Sequence, residues 1–303
     1  ENLITGITRA RVLRLPNNAG AAEARNAAAR HAQGQYLLFI DADVAVHPDT
    51  LQRIINAFAA DNPPVAVFGS YDSHPAETGV VSRFRNLLHH HIHQEGKGQA
   101  RTFWTGCGAI RREVFNTVGP FHSASITCME DVDYGHRLVD AGYPIQLDPR
   151  IQCRHLKRWT LPAMVQTDIF RRAVPWTVMM KRRGQHDRVL NVTPRERISA
   201  SAAIAAVLFA VTAATSPHLA NYYNLSAGKI GLPSAIIAAT ALMILVICQR
   251  KFYRLLYKSG GIGSAASGVP LHIIYYLSAI TGWLIGHGIV LLSRPRKLHP
   301  PQP

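Results

Sequence analysis

The chain has 303 residues, 48% of them apolar, and a formal net charge of +15. Its four cysteines form no CxxC pair and no zinc spacing, which excludes a zinc-built module, and they read as free thiols in a reducing compartment. A nucleic-acid partner is set aside: the Arg and Lys clusters at 150–197 and 249–258 flank long apolar runs, a pattern that suits anionic head groups better.

The opening, ENLITGITRARVLRLPNN, has no signal-peptide pattern and reads like the middle of a domain, so a truncated N-terminus is expected. AGAAEARNAAARHAQG has helix-forming composition, with Gly34 as its stop. YLLFID is a continuous apolar run of the kind that forms a strand buried on both faces. In HPDTLQRIINAFAAD, residues Leu51, Ile54, Ile55 and Phe58 share one helical face, and Pro48 suits the first turn. VAVFGSY predicts a further strand, RREVFNTVG a short helix, EDVDYGHRLVDAGY a helix ending at Gly142, and PIQLD a strand. Such strand–helix alternation predicts an α/β fold, a mostly parallel sheet covered by helices, over 1–160.

Residues 161–197 mix Trp176, Met and Phe with paired Arg and Lys, the composition of amphipathic helices in a membrane interface or packed on the preceding domain. In 198–303, three stretches lack Asp, Glu, Lys and Arg, and spans are expected at about 198–216, 230–248 and 270–292. Basic flanks before the first and after the second put both on the cytoplasmic side, with 217–229 as the outside loop. Three full crossings would leave Arg294, Arg296 and Lys297 outside, so a re-entrant or interfacial piece is the alternative for the third.

The chemistry-bearing residues fall in three places. Asp41 and Asp43 follow a buried strand and, in strand geometry, project to one side, where hard oxygen ligands suit Mg²⁺ or Mn²⁺ and phosphate oxygens. Glu130 and Asp131 open a helix, where a carboxylate either caps or serves as a base to a hydroxyl. In CRHLKRW, His155 has a metal-binding imidazole, Arg158 suits a diphosphate and Trp159 a sugar face or lipid boundary. The HxxxH pair of His89 and His93 has no local third ligand and reads as polar or phosphate contact. The glycines of WTGCGAIRR suggest close backbone approach, with Trp104, Gly106 and Cys107 as acceptor contacts.

In this order, NNAGAAEARNAAARHAQGQYLLFIDADV, TGCGAIRREVFNTVGPF, EDVDYGHRLVDAGY and HLKRW resemble the family 2 glycosyltransferases of GT-A (Rossmann-like) fold, over about residues 12–160. The resemblance implies an inverting, metal-dependent enzyme of cell-envelope glycan synthesis. Asp43 would ligate Mg²⁺ or Mn²⁺, with Asp41 toward the nucleotide, His155 at a metal or diphosphate position, and Asp131 as general base supported by Glu130. FWTGC and HLKRW look like the acceptor loop and QxxRW motif of processive polysaccharide synthases, with His155 in place of Gln. Family members open on a strand like VSVVIPAYNE and an Asp-rich stretch that this sequence does not contain. The implied partners are a nucleotide-sugar donor, a lipid-linked or glycan acceptor and the membrane. The implied location is multi-pass in the inner (plasma) membrane with a cytoplasmic catalytic domain. A processive synthase and an inactive scaffold that keeps the fold are the alternatives.

Overall fold

The computed structural model describes residues 10–122, 128–184, 193–223 and 226–293. The start of the opening segment and the basic tail with Arg294, Arg296 and Lys297 lie outside the described residues.

The N-terminal half begins with α1 (Gly20–His31), β1 (Tyr36–Ile40), β2 (Val44–Val46), α2 (Thr50–Phe58), β3 (Ala66–Tyr71) and α3 (Val80–Glu95). It continues with β4 (Gly98–Ala100), β5 (Cys107–Arg111), α4 (Arg112–Val118), α5 (Glu130–Asp140) and β6 (Ile145–His155). The strands form one sheet in the order β1-β5-β3-β6-β2, with β4 on the flank of β6. The α/β class is as expected, but the sheet is mixed. Among the described residues β3–β6 is the parallel pairing, while β1–β5, β3–β5, β2–β6 and β4–β6 are antiparallel. The reason is the path between β3 and β5: the chain goes out along α3, turns through β4, and comes back in the reverse direction. Apolar alternation alone does not reveal that reversal.

All six residues of β3 are buried, Ser70 included, because the strand lies at the centre of the sheet. One layer of core packs Phe39, Phe68, Phe103, Phe115, Phe121 and Tyr134 together with Leu138, Ile145 and Leu147. Each such side chain contributes roughly 1.5–3 kcal/mol on burial. On α2 the expected apolar face is only half used. Ile54 and Phe58 are buried under the sheet, whereas Leu51 and Ile55 are more than half exposed, because β2 and β6 leave that helix at the sheet's rim.

Residues 161–183 form one helical rod: α6 (Leu161–Gln166), a π-helical turn (Thr167–Ala173) and α7 (Val174–Arg183). It lies on the α/β domain. Asp168 forms a buried ion pair with Arg85 of α3 at 2.6 Å, Met179 and Met180 cover Met129, and Arg183 reaches Asp133 and Asp140 of α5 at 3.1 and 2.7 Å.

Three further helices are long and apolar enough to cross a membrane: α8 (Pro194–Ala214), α10 (Ala227–Cys248) and α11 (Arg250–Leu292). A short α9 (Ser216–Tyr222) occupies much of the expected outside loop. Helices α8 and α10 are an antiparallel pair: Gln249 after α10 donates to Glu196 at the start of α8 (2.9 Å), while Gly231 abuts Ser216 at the other end. Helix α11 is not one rod. At Gly260 and Gly261 (φ −155° and +68°) the backbone leaves helical geometry and reverses, a left-handed step that glycine alone takes without a Cβ clash. Beyond it, His272 comes back to the Tyr253 hydroxyl (3.2 Å) and Tyr276 to Gln249 (2.9 Å). The later part of α11 then runs beside the rod of residues 161–183, with Gly282 against Ala173 and Gly286 against Thr177. The third expected span, 270–292, packs by its later part on the rod, while Leu271, Tyr275 and Tyr276 share a core cluster with Ala202 and Ala203 of α8 and Leu245 of α10.

Candidate active site

The acid pair sits just past the end of β1, in the link to β2. Val44 N–H donates to the Asp41 carbonyl (3.1 Å), so Asp41 to Val44 form a turn. The expectation that both carboxylates project to one side is corrected by this turn, which sends them apart. Asp41 Oδ1 accepts from Arg25 Nη2 at 2.8 Å, and the same guanidinium donates through Nη1 to Glu130 Oε1 at 2.6 Å. Burial works against the charge on Arg25, but its bonds to Asp41 and then Glu130 outweigh that and hold it cationic. Arg25, from α1, is thus the clasp between two acid clusters 16 and 105 residues away in sequence.

Asp43 turns the other way, with its side chain 44% exposed and its Oδ2 3.5 Å from His155 Nε2. Leu156 N–H donates to the Asp43 carbonyl (2.8 Å), tying the end of β6 to the acid turn. His155 is buried, and its Nδ1 lies 2.6 Å from Asn86 Oδ1 of α3. Asn86 holds the imidazole through Nδ1, so that Nε2 faces the Asp43 carboxylate. Burial lowers the pKa of the imidazole, against the pull of Asp43. A neutral imidazole oriented by an outer hydrogen bond, next to a half-exposed carboxylate, fits a divalent cation that keeps open positions for phosphate oxygens. Among the described residues no cluster of three or more His, Cys, Asp or Glu completes a protein-only cage.

Asp131 lies in the first turn of α5, partly buried beside the loop before β5. Its Oδ2 is 3.4 Å from Thr105 N and 3.5 Å from Thr105 Oγ1, and its Oδ1 accepts from Val132 N at 2.8 Å. Burial first, and the neighbouring Glu130 carboxylate second, push its pKa up to about 6, against Arg25 and the two backbone amides. Just before the helix, Cys128 has a left-handed backbone (φ +77°), uncommon for a residue with a Cβ and a feature that clusters at functional sites.

Between the two carboxylate sites runs an aromatic floor. His155 stacks on Tyr71 (centroids 4.4 Å), Tyr71 meets His89 (4.3 Å) and Trp104 (5.0 Å), and His89 meets His93 (4.0 Å). His93 donates Nδ1–H to Gly69 O (2.9 Å), and burial lowers its pKa to about 4. The HxxxH pair is therefore part of this stack.

The remaining candidates divide. Trp104 is partly exposed on that floor. Gly106 is buried directly under the Trp104 ring, where any Cβ would collide with the indole, so its glycine serves this close approach. Cys107 is fully buried in β5 opposite Ile40, packed with Val67 and Cys153, and offers no surface to an acceptor. Trp159 is partly exposed, with the Lys157 ammonium 4.3 Å from its ring centroid, and Arg158 is exposed in the same loop. Sequence reasoning missed Arg25 and Asn86. Both are polar residues on helices whose partners are distant in sequence, and only the buried position of Asn86 on an apolar helix face carried a signal.

The candidate site thus pairs a turn that presents an acid to a histidine with a helix start that presents a second acid of raised pKa. Residues 1–119 match the model of Glycosyl transferase family 2. The match ends before Glu130, Asp131 and His155. An uncharacterized glycosyltransferase of Haemophilus influenzae is 27% identical over 134 residues, covering 42% of this chain and 44% of that protein, so the chain spans under half of that relative. Among solved structures, a mannosyltransferase of Pyrobaculum calidifontis in complex with GDP-Man and Mn2+ superposes with a TM-score of 0.43 at 16% identity, over 88% of this chain and 66% of that one.

Proposed function

We propose that the chain transfers a sugar, with inversion, from a nucleotide-sugar donor to a hydroxyl or phosphate of a lipid-linked or surface-glycan acceptor at the cytoplasmic membrane face. The observation that carries this reading is the half-exposed Asp43 carboxylate 3.5 Å from His155 Nε2, with the imidazole held from behind by Asn86, a pair of groups suited to a divalent cation. Asp43 and His155 would hold Mg²⁺ or Mn²⁺, which supplies charge neutralisation on a departing nucleoside diphosphate. Arg25 keeps Asp41 in place beside that site, and exposed Arg158 is within the same loop as Trp159 for diphosphate contact. Asp131, with a pKa near 6, is ionised at neutral pH and still basic enough to take a proton from the acceptor. Glu130 raises that basicity, and Arg25 limits how far. Trp104 and Trp159 supply flat apolar faces for sugar rings.

The membrane reading is supported by the α8–α10 pair, whose one end collects Arg195, Arg197, Arg250 and Lys251 on what the positive-inside rule makes the cytoplasmic side. We read α11 as interfacial, which leaves two crossings and removes the conflict with the basic tail. The catalytic unit is taken as 1–160, the interfacial unit as 161–197 and the membrane unit as 198–303.

The test is nucleoside-diphosphate release from a panel of sugar nucleotides, with and without Mn²⁺, by membranes carrying the chain. Metal-stimulated release that Asp131→Asn abolishes is expected. No release with any donor overturns the enzymatic reading in favour of an inactive scaffold, and a ladder of long products replaces single transfer with processive synthesis.

A further inference from the structure

A second polar cavity lies on the opposite flank of α3. Helix α3 directs His89 and His93 to the aromatic floor of the active site, and His91 and Gln94 to α11. There a cavity of about 240 Å³ is lined from α3 by His90, His91 and Gln94, and from α11 by Lys251, Arg254 and Lys258. The three cations are spaced three and four apart, which puts them on one face of the helix.

Their charge is largely uncompensated. Glu95 accepts from Lys251 (3.0 and 3.2 Å) and from Arg195 (3.3 Å), which uses up that carboxylate. Among the described residues, Arg254 and Lys258 form no ion pair. His91, 7% exposed, closes the floor of the cavity beside them. A primary amide and three cations around one cavity are the donor set of a phosphate site.

The surroundings choose the kind of phosphate. The cavity opens immediately after Cys248, the last residue of α10, at the end of the α8–α10 pair that carries Arg195 and Arg197. Tyr257 and Ile262, on either side of Lys258, are 56% and 76% exposed. An exposed aromatic and an exposed aliphatic residue beside lysines mark head-group depth.

We propose that the cleft between α3 and the first part of α11 binds the phosphate of an anionic phospholipid, as a site separate from the active site. The inference rests on the reading of α10 as a membrane span.

The experiment compares the full chain in nanodiscs of pure phosphatidylcholine with nanodiscs that also contain phosphatidylglycerol, counting retained lipids by native mass spectrometry. Entry into phosphatidylcholine discs tests the span alone, and failure to enter overturns both readings. The wild type is expected to retain phosphatidylglycerol selectively. Losing two cations at an anionic surface should cut that retention roughly 25-fold in Arg254→Gln/Lys258→Gln. The charge-keeping Arg254→Lys/Lys258→Arg should restore it. The control pair Arg171→Gln/Arg182→Gln, exposed on the rod and outside the lining of the cleft, removes the same surface charge and should lose clearly less than the cleft pair. An equal loss in both Gln pairs would mean diffuse surface charge and would overturn the site. Displacement of the lipid by inorganic phosphate would make it a site for a soluble anion and overturn the lipid assignment.

Discussion

Replacing Asp131 by Asn should make the protein more stable and inactive at once. The carboxyl is pushed up to about 6 from an ordinary 3.8, mainly by burial. Its folded form therefore holds a proton more tightly than the unfolded chain does, and ionising it destabilises the fold. That cost is absent below about pH 4, grows between about 4 and 6, and is complete above 6. Two pH units at 1.36 kcal/mol each give an upper bound of about 3 kcal/mol at pH 7. Part exposure and water screening reduce this to about 1.5 kcal/mol. Asn keeps an oxygen for the Val132 amide (2.8 Å), gives up the long contact with the Thr105 amide (3.4 Å) and removes the charge, so the gain should appear at pH 7 and vanish near pH 4. The assay is a thermal melt at both pH values, in parallel with nucleoside-diphosphate release, which should fall about 10²- to 10⁴-fold. A lower melting temperature for the variant at pH 7, or a turnover within tenfold of wild type, would refute the reasoning.

Three further outcomes are expected. Asp43→Asn and His155→Ala should each weaken Mn²⁺ binding about 10- to 100-fold, read by electron paramagnetic resonance of free Mn²⁺; unchanged binding would remove them from the metal site. Arg25→Gln releases Glu130 and withdraws the cation that lowers the Asp131 pKa, so the acid limb of kcat/KM should move above pH 6; a shift to lower pH contradicts that coupling. Gly282→Val forces a side chain into Ala173 and the Ile169 carbonyl, and should cost about 1–3 kcal/mol by loosening α11 from the rod, seen as faster hydrogen exchange over 167–183.

Most of the α/β layer was readable because its signals are local. YLLFI and AVFGSY became strands β1 and β3, but β1 is the sheet's edge strand, so its residues alternate in burial instead of being buried on both faces, and only the central β3 is buried throughout. RREVFNTVG stops where Gly119 takes φ +86°, the left-handed step expected of a terminal glycine. The candidate acids were singled out from their residue types and order, and the fold brings Asp41 and Glu130 to one guanidinium. What was not readable depends on partners far along the chain. The residues CGAIR look like a glycine-rich loop until β1 and β3 pair with them on both sides, which is why Cys107 was expected at a surface it does not reach. The separation of Asp41 from Asp43 follows from one backbone turn and from Arg25, whose partner Glu130 lies 105 residues on. For α11, composition marks an apolar stretch, but only the reversal at Gly260–Gly261 and the notches at Gly282 and Gly286 decide what it lies against.

The rod of residues 161–183 has α5 on one side and α11 on the other. Its Met179 and Met180 cover Met129, next in sequence to Glu130, and its Arg183 grips Asp133 two residues past Asp131. Under the proposed function, solubilisation conditions thereby become a variable of catalysis. A detergent that wets the exposed Trp283, Leu284 and Leu292 so strongly that it peels α11 from its glycine notches also removes the backing of the rod. A preparation treated in this way would register as a dead enzyme with every carboxylate intact, and returning it to a bilayer, with no change of sequence, should revive it.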